Sequence, residues 1–314
     1  MTLAISTLIS SGIVLTADSR QTYRNQAGVT RIGSDTVMKI FKLSSSCGVA
    51  ISGRAFLNED GQPAKDVSYF INRFAESENL SGLKTKEIAE KLNKSLGDIF
   101  VAREIEALKK QVEEEVRKLG GTELKLSAPQ GHLLPYSYKG KDGNIVTTTG
   151  WIDTVNMIVA GVDDDKVGRA YSVLVPRGII NERDTIRCGA LWVGQTDVLV
   201  RIVKGYAPEI EHVAFVKDAL SKNSAGVSAQ LDRLEYIINW ARITLQDAID
   251  FCVLATRTTE NIQRFSDGTF LAPSGITGVG GEIDVAVITP EKGFTWLKKK
   301  RLRAEGAELS LDKA

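Results

Sequence analysis

Four residues within the first fifty-three have the types and spacing to attack an amide bond. They are Thr2, Asp18, Lys39 and Gly53. Only Met1 precedes Thr2, and a small second residue permits removal of an initiator methionine, so a free Thr amino terminus can form without a propeptide. A threonine hydroxyl is a poor nucleophile unless a base stands beside it. A terminal α-amine, with an unperturbed pKa of about 8, can take or relay its proton. Lys39, next to that second cationic group, would have its own pKa lowered toward neutrality. Asp18 would hold Lys39 and offset its charge. The N–H of Gly53 would face the oxyanion of the tetrahedral intermediate, and the absence of a side chain lets substrate approach.

Each residue also has an ordinary reading. Many chains begin Met-Thr, a strand lysine is usually a solvated edge residue, and an aspartate after a strand is usually a turn former. The joint spacing favours the active-site reading. Arg20 is read as structural, bracing Asp18 or the turn.

The elements that must position these residues follow from hydrophobic periodicity. Residues 2–9 and 12–18 are strand-length runs joined at Ser10-Ser11, and 36–43 and 47–53 form a second pair around Ser44-Ser45-Ser46. Val67, Phe70, Ile71 and Phe74 make one helical stripe. Ile88, Leu92, Leu96 and Ile99 make another, continued by Ile105, Leu108, Val112, Val116 and Leu119 up to Gly120-Gly121. The charged segment Glu104–Lys118 is expected to project as a helical arm. Residues 122–150 read as an added hairpin or flap, with Asp142-Gly143 as the turn.

Strands return at 155–162, 169–175 and 186–193, with Asp163-Asp164-Asp165 as a solvated turn, since it lacks the glycine and closing glutamate of a calcium loop. Helices are expected at 195–204, 208–221, 227–240 and 244–264. A glycine-rich loop at 274–281 leads into strands at 283–289 and 293–297, and the basic run Lys298–Arg303 reads as a solvated or subunit-facing tail. This order indicates an α+β protein, an antiparallel two-sheet core with helix layers outside it. One domain over 1–314 is expected, with insertions at about 100–150 and 206–240.

Composition narrows the function classes. The 314 residues are 43% hydrophobic and carry 40 basic against 39 acidic side chains, a net charge of +1. That balance gives no electrostatic case for nucleic acid or an anionic membrane as partner. Three scattered cysteines and two histidines offer no metal-like pairing, so no metal and no cofactor are expected. No run approaches the roughly 18 apolar residues of a membrane helix, and a soluble, cytoplasmic protein is expected.

The arrangement Thr2…Gly12-Ile-Val-Leu-Thr-Ala-Asp18-Ser-Arg20…Lys39-Ile…Ala50-Ile-Ser-Gly53 resembles the catalytic β-type subunits of the proteasome family, within the N-terminal-nucleophile (Ntn) hydrolases. Gly280-Gly-Glu-Ile-Asp-Val-Ala-Val-Ile-Thr289 is similar to that family's last core strands. The spacings Thr2–Asp18 and Lys39–Gly53 match the family pattern, while the Asp18–Lys39 link is a few residues longer. The resemblance implies a four-layer α-β-β-α sandwich and catalysis by Thr2, Asp18 and Lys39 with Gly53 at the oxyanion. It implies that Thr22 hydrogen-bonds the substrate backbone as an added strand. It also places Ile51 and Ala55 in the pocket for the side chain before the cleaved bond, with an apolar preference.

The implied function is a threonine-type peptidase acting on peptide or unfolded polypeptide, self-associating as a homo-oligomer around an enclosed chamber. An Ntn amidase or acylase on a small amide and a non-catalytic structural subunit are the alternatives. Two places depart from the family. Val193-Gly194-Gln195 stands where a Ser-Gly helper is usual, and Ile276 to Gly281, including Val279, stands where an Asp and a Ser are usual. Ser274, Thr277 or Gln195 are candidate substitutes.

Overall fold

Every residue of the first strand is buried, which identifies it as a central strand covered on both faces. The computed structural model describes residues 2–24, 29–57, 64–268, 277–304 and 307–309. In chain order the strands begin with β1 (Leu3–Ile9), β2 (Gly12–Ala17), β3 (Gln21–Arg24), β4 (Thr30–Ser34), β5 (Ile40–Lys42), β6 (Cys47–Gly53), β7 (Phe56–Leu57) and β8 (Lys65–Asp66). Helices α1 (Val67–Ser77) and α2 (Thr85–Phe100) follow, and a π-helical turn at Val101–Ile105 leads into α3 (Glu106–Lys118). Next come β9 (Thr122–Leu126), β10 (Leu133–Lys139), β11 (Ile145–Trp151), β12 (Val155–Val162), β13 (Gly168–Leu174), β14 (Gly178–Asp184) and β15 (Gly189–Gly194). Then α4 (Asp197–Lys204), α5 (Ala214–Leu231) and α6 (Leu245–Phe265) precede β16 (Asp284–Thr289), β17 (Gly293–Lys298), β18 (Leu302–Ala304) and β19 (Ala307–Leu309).

Two five-stranded antiparallel sheets dominate, ordered β15-β1-β2-β16-β17 and β14-β13-β12-β6-β5. Strand alternation sorts their side chains into separate cores. Ala4, Leu8, Ile13, Leu15, Ala50, Ile158 and Ala286 meet between the sheets. Leu3, Ile5, Val14 and Val287 face the opposite way and pack with Leu199 of α4 and Ala248 and Cys252 of α6. Val49, Ile51, Met157 and Val159 pack with Phe70 and Ile71 of α1 and Ile88, Leu92 and Leu96 of α2. The protein is therefore a mixed α+β fold with antiparallel sheets, as the element order indicates. Among the described residues, no helix is long and apolar enough to cross a membrane.

Several elements differ from the sequence expectation. The segment Glu104–Lys118 does not project bare: Leu108, Val112 and Val116 of α3 pack with Leu134 and Tyr136 of a small β11-β10-β9 sheet. The helices expected at 208–221 and 227–240 appear as a 3₁₀ turn at Pro208–His212 and as α5, which is broken in two at Asn223 (φ −154°, ψ 75°) and ends at Leu231. Residues 235–240 leave the helix because Tyr236 N donates to Val203 O at the end of α4. The strand expected at 186–193 starts at Gly189, after β14, whose polar edge sequence carries little periodic signal. Asp163 does more than turn the chain: its Oδ1 accepts from Thr85 N and Oγ1 at the start of α2, and its Oδ2 pairs with Arg169.

Candidate active site

The site starts from the β1–β2 hairpin. Ala4 pairs with Ala17, so the entry to β1 lies beside the exit of β2, where Asp18 follows. Leu3 N donates to Asp18 Oδ1 at 3.0 Å, and Lys39 Nζ donates to the same oxygen at 3.1 Å. Asp18 Oδ2 accepts from Arg20 N and Gly280 N, both at 3.0 Å. Four donors from separate stretches of chain thus fix a carboxylate that is 1% exposed.

Lys39 is 4% exposed and enters from the residue before β5, where its carbonyl accepts from Ile51 N at 2.9 Å. Its Nζ also donates to Arg20 O. Burial pushes its pKa down to about 8, against the pull of Asp18, and the nearby Lys300 lowers it further. A group that ionises there can serve as a base near neutral pH.

Thr2 is buried just ahead of β1, its carbonyl accepting from Gln195 N at 2.6 Å. The neighbouring Gly194 has φ +95°, and a Cβ on it would fall 1.9 Å from Thr2 O. Gly53 ends β6 with φ +86°, and a Cβ there would lie 2.2 Å from Thr154 O. Both positions require glycine on conformation and on space.

One cavity brings these parts together. Thr2, Thr22, Lys39, Ile51, Gly53 and Ala55 all line it, with Ser52, Arg20, Arg54 and Asp66. Asp18 lies behind the wall, holding Lys39. A second cavity opens on the other side of Thr2 and Gly53, beside Gly194, Gln195 and Glu209.

Arg20 braces Asp18 through its backbone N–H, in line with the expectation, while its guanidinium is engaged elsewhere. It makes a two-pronged ion pair with Asp35, Nε–Oδ1 at 2.6 Å and Nη2–Oδ2 at 2.9 Å, and Nη1 donates to Thr277 Oγ1. The pairing raises the Arg20 pKa and lowers that of Asp35. Val193 and Val279, at the departing positions, are buried in the inter-sheet core and the α6-side core. Thr277 is engaged by Arg20, and the Gln195 side chain by Asp197. Ser274 and Ile276 lie outside the described residues, as does Met1.

The sequence reading passed over two features. Ser52 is one, a buried hydroxyl beside Thr2. The other is a second buried ion pair, Lys300 Nζ to Asp284 Oδ2 at 2.7 Å, whose lysine also donates to Ser19 Oγ and Val37 O. Lys300 is therefore not part of a solvated tail. Its signal was Asp284 in an otherwise apolar strand, a carboxylate that burial obliges to find a cation. Among the described residues, no group of three or more His, Cys, Asp or Glu side chains could hold a metal ion.

Among solved structures, the chain is similar to Anbu (ancestral beta-subunit) from Yersinia bercovieri, at 12% identity and a TM-score of 0.46, over 95% of this chain and 87% of that one. It is also similar to the Anbu (Gly-1) mutant from Hyphomicrobium sp. strain MC1, at 11% identity and a TM-score of 0.47, over 97% and 88%. No protein-family model matches the sequence, and a search of curated proteins finds no match. These neighbours correct the resemblance drawn from the N-terminal motif. They are Anbu proteins, a proteasome-like but distinct family, rather than catalytic β-type proteasome subunits, and the relation is distant.

Proposed function

We propose that this chain hydrolyses amide bonds as a threonine-type peptidase, with Thr2 as the nucleophile after Met1 removal, on a four-layer α-β-β-α scaffold of the N-terminal-nucleophile kind. The observation that carries the reading is Asp18 Oδ1, which receives both Lys39 Nζ and the N–H of the residue next to Thr2. Removal of Met1 converts the Thr2 nitrogen into an amine. That amine or neutral Lys39 accepts the Thr2 Oγ proton as the oxygen attacks the substrate carbonyl carbon. The Gly53 N–H donates to the resulting oxyanion. Collapse expels the amine, which takes up the proton, and leaves an ester on Thr2 Oγ. Water adds to that ester by the same proton path and releases the acid.

Substrate lies along the cavity. Thr22 belongs to β3, paired among the described residues with β4, and lines the cavity, where an extended peptide would run beside it. Ile51 and Ala55 form an apolar wall for the side chain before the cleaved bond. Self-association is part of the reading: Leu254, Ile262 and Phe265 on α6 are 64, 47 and 80% exposed, an apolar surface suited to a second copy.

The test is intact mass after incubation with a peptide epoxyketone or β-lactone, paired with native mass. The expected result is loss of Met1, one adduct mapped to Thr2, and none on Thr2→Ala. Retained Met1, or an adduct that persists in Thr2→Ala, rejects the mechanism. Turnover of a small amide but not of peptides would make the enzyme an amidase.

A further inference from the structure

Ser52 is the penultimate residue of β6, 5% exposed, and its Oγ has no hydrogen-bond partner. A buried hydroxyl without a partner is destabilising, so a site that keeps one has a use for it. Strand alternation gives its direction. Val49 and Ile51 face the core beneath α1 and α2, and Ala50 faces the core between the sheets. Ser52 continues the Ala50 row. On β1, Ala4 and Leu8 face the same inter-sheet core, and Thr2 continues their row. The two rows converge at Gly194, where an added Cβ would lie 1.9 Å from Thr2 O and 3.1 Å from Ser52 Cβ. Ser52 and Thr2 also line one cavity.

We propose that Ser52 Oγ is the partner of the Thr2 α-amine, accepting a hydrogen bond from it once Met1 is gone and aiming it at the Thr2 hydroxyl. This inference rests on the nucleophile reading above. With Met1 attached, residue 2 offers an amide rather than an amine, and Ser52 lacks that partner. Ser52 acts through the amine and is a positioning residue. It supplies a hydroxyl at a site where the departing positions, Val193 and Val279, supply none.

The experiment places Ser52→Ala in two backgrounds: the chain with a free Thr2 terminus, and the same chain with an uncleavable extension ahead of Thr2. Thermal melting is read in both, and the rate of β-lactone labelling against pH is read in the first. The expected result is a Tm lowered by about 1–3 °C with free Thr2, and unchanged or raised when the terminus is blocked. Labelling slows roughly tenfold, the rate equivalent of one ordinary hydrogen bond. Its pH midpoint moves down, because an acceptor favours the charged amine. The charged groups around the amine are Lys39, Arg20, Arg54 and Asp66 along the cavity, Asp18 behind Lys39, and Asp197 and Glu209 across Thr2. All of them are common to both proteins, so a shift from the parent midpoint, which the amine shares with Lys39, reports the loss of the Ser52 hydroxyl. Equal Tm changes in the two backgrounds, with an unmoved midpoint, overturn the proposal. Ser52→Cys, a poorer acceptor of similar size, serves the same comparison where Ser52→Ala does not fold. If the parent chain takes no label at Thr2, the nucleophile reading fails, while the Tm comparison still decides the Ser52 contact.

Discussion

Lys39 Nζ lies 3.1 Å from Asp18 Oδ1, on the one oxygen that also receives the Leu3 N–H. A single atom thereby sets the position of a buried ammonium relative to the residue proposed as nucleophile. The second oxygen is held as firmly, by the N–H groups of Arg20 and Gly280. Burying such a pair is expensive, and in other proteins apolar residues of similar size often stabilise the fold equally well or better. The proposed role, a base kept dry and in place, accounts for that expense.

The first prediction concerns pH. Burial lowers the Lys39 pKa to about 8, so below that pH the lysine is mostly protonated and cannot accept the Thr2 proton. Labelling of Thr2 should rise with pH through a midpoint near 8 and level off above it. Lys39→Ala should lose labelling by roughly 100-fold or more, the scale of general base catalysis. A Lys39→Ala protein that labels at the parent rate would remove the lysine from the mechanism.

Asp18→Ala should be among the most destabilising single changes in the chain. It strips the acceptor from four donors and leaves the Lys39 charge buried without its partner. The cost is about 3–5 kcal/mol, measured as a shift in denaturant midpoint. Asp18→Asn keeps one acceptor oxygen and should cost less. Adding Lys39→Met to Asp18→Ala should recover stability, because the unpaired charge is then gone. Additive losses in the double variant would show that the two residues do not interact.

The fold was legible wherever burial imposed a period. The β1–β2 hairpin and β16 follow from strand-length, largely apolar runs buried on both faces, and α1 and α2 from helical apolar stripes. Elements without a buried face were not legible: β14 reads Gly-Ile-Ile-Asn-Glu-Arg-Asp, and β3 and β4 are short and mostly polar. Within the site, Asp18 and Lys39 stood out as charges at the ends of apolar strands. Ser52 did not, because a serine inside a strand carries no sign of whether its hydroxyl is satisfied. Lys300 was hidden among the basic residues of its own run, and only three-dimensional packing selects it over Lys298 and Lys299.

Gly194→Ala should damage the site without touching a charged group. The backbone there has φ +95°, unfavourable for any residue with a Cβ, and the new methyl would collide with Thr2 O. The strain is about 1–3 kcal/mol, and relief requires Thr2 or β15 to move. Labelling should fall more than stability does, because Gln195 N and Thr2 O part when either shifts. A variant that loses stability but labels Thr2 at the parent rate would show that this contact does not set the position of Thr2.

Lys300→Met tests whether the second ion pair tunes the first. Its removal leaves Asp284 buried without its cation, at a cost of about 3–5 kcal/mol, and frees Ser19 Oγ and Val37 O from their donor. Electrostatically, Lys300 lowers the Lys39 pKa and Asp284 raises it. Deleting the cation alone therefore removes a downward push, so the Lys39 pKa rises and the labelling midpoint moves above its parent value. At pH 7 less of the lysine is neutral, and labelling slows. Lys300→Met with Asp284→Asn removes both influences, so the midpoint should return toward the parent value and part of the stability should be regained. A midpoint unmoved in Lys300→Met would mean that the two buried pairs are electrostatically independent.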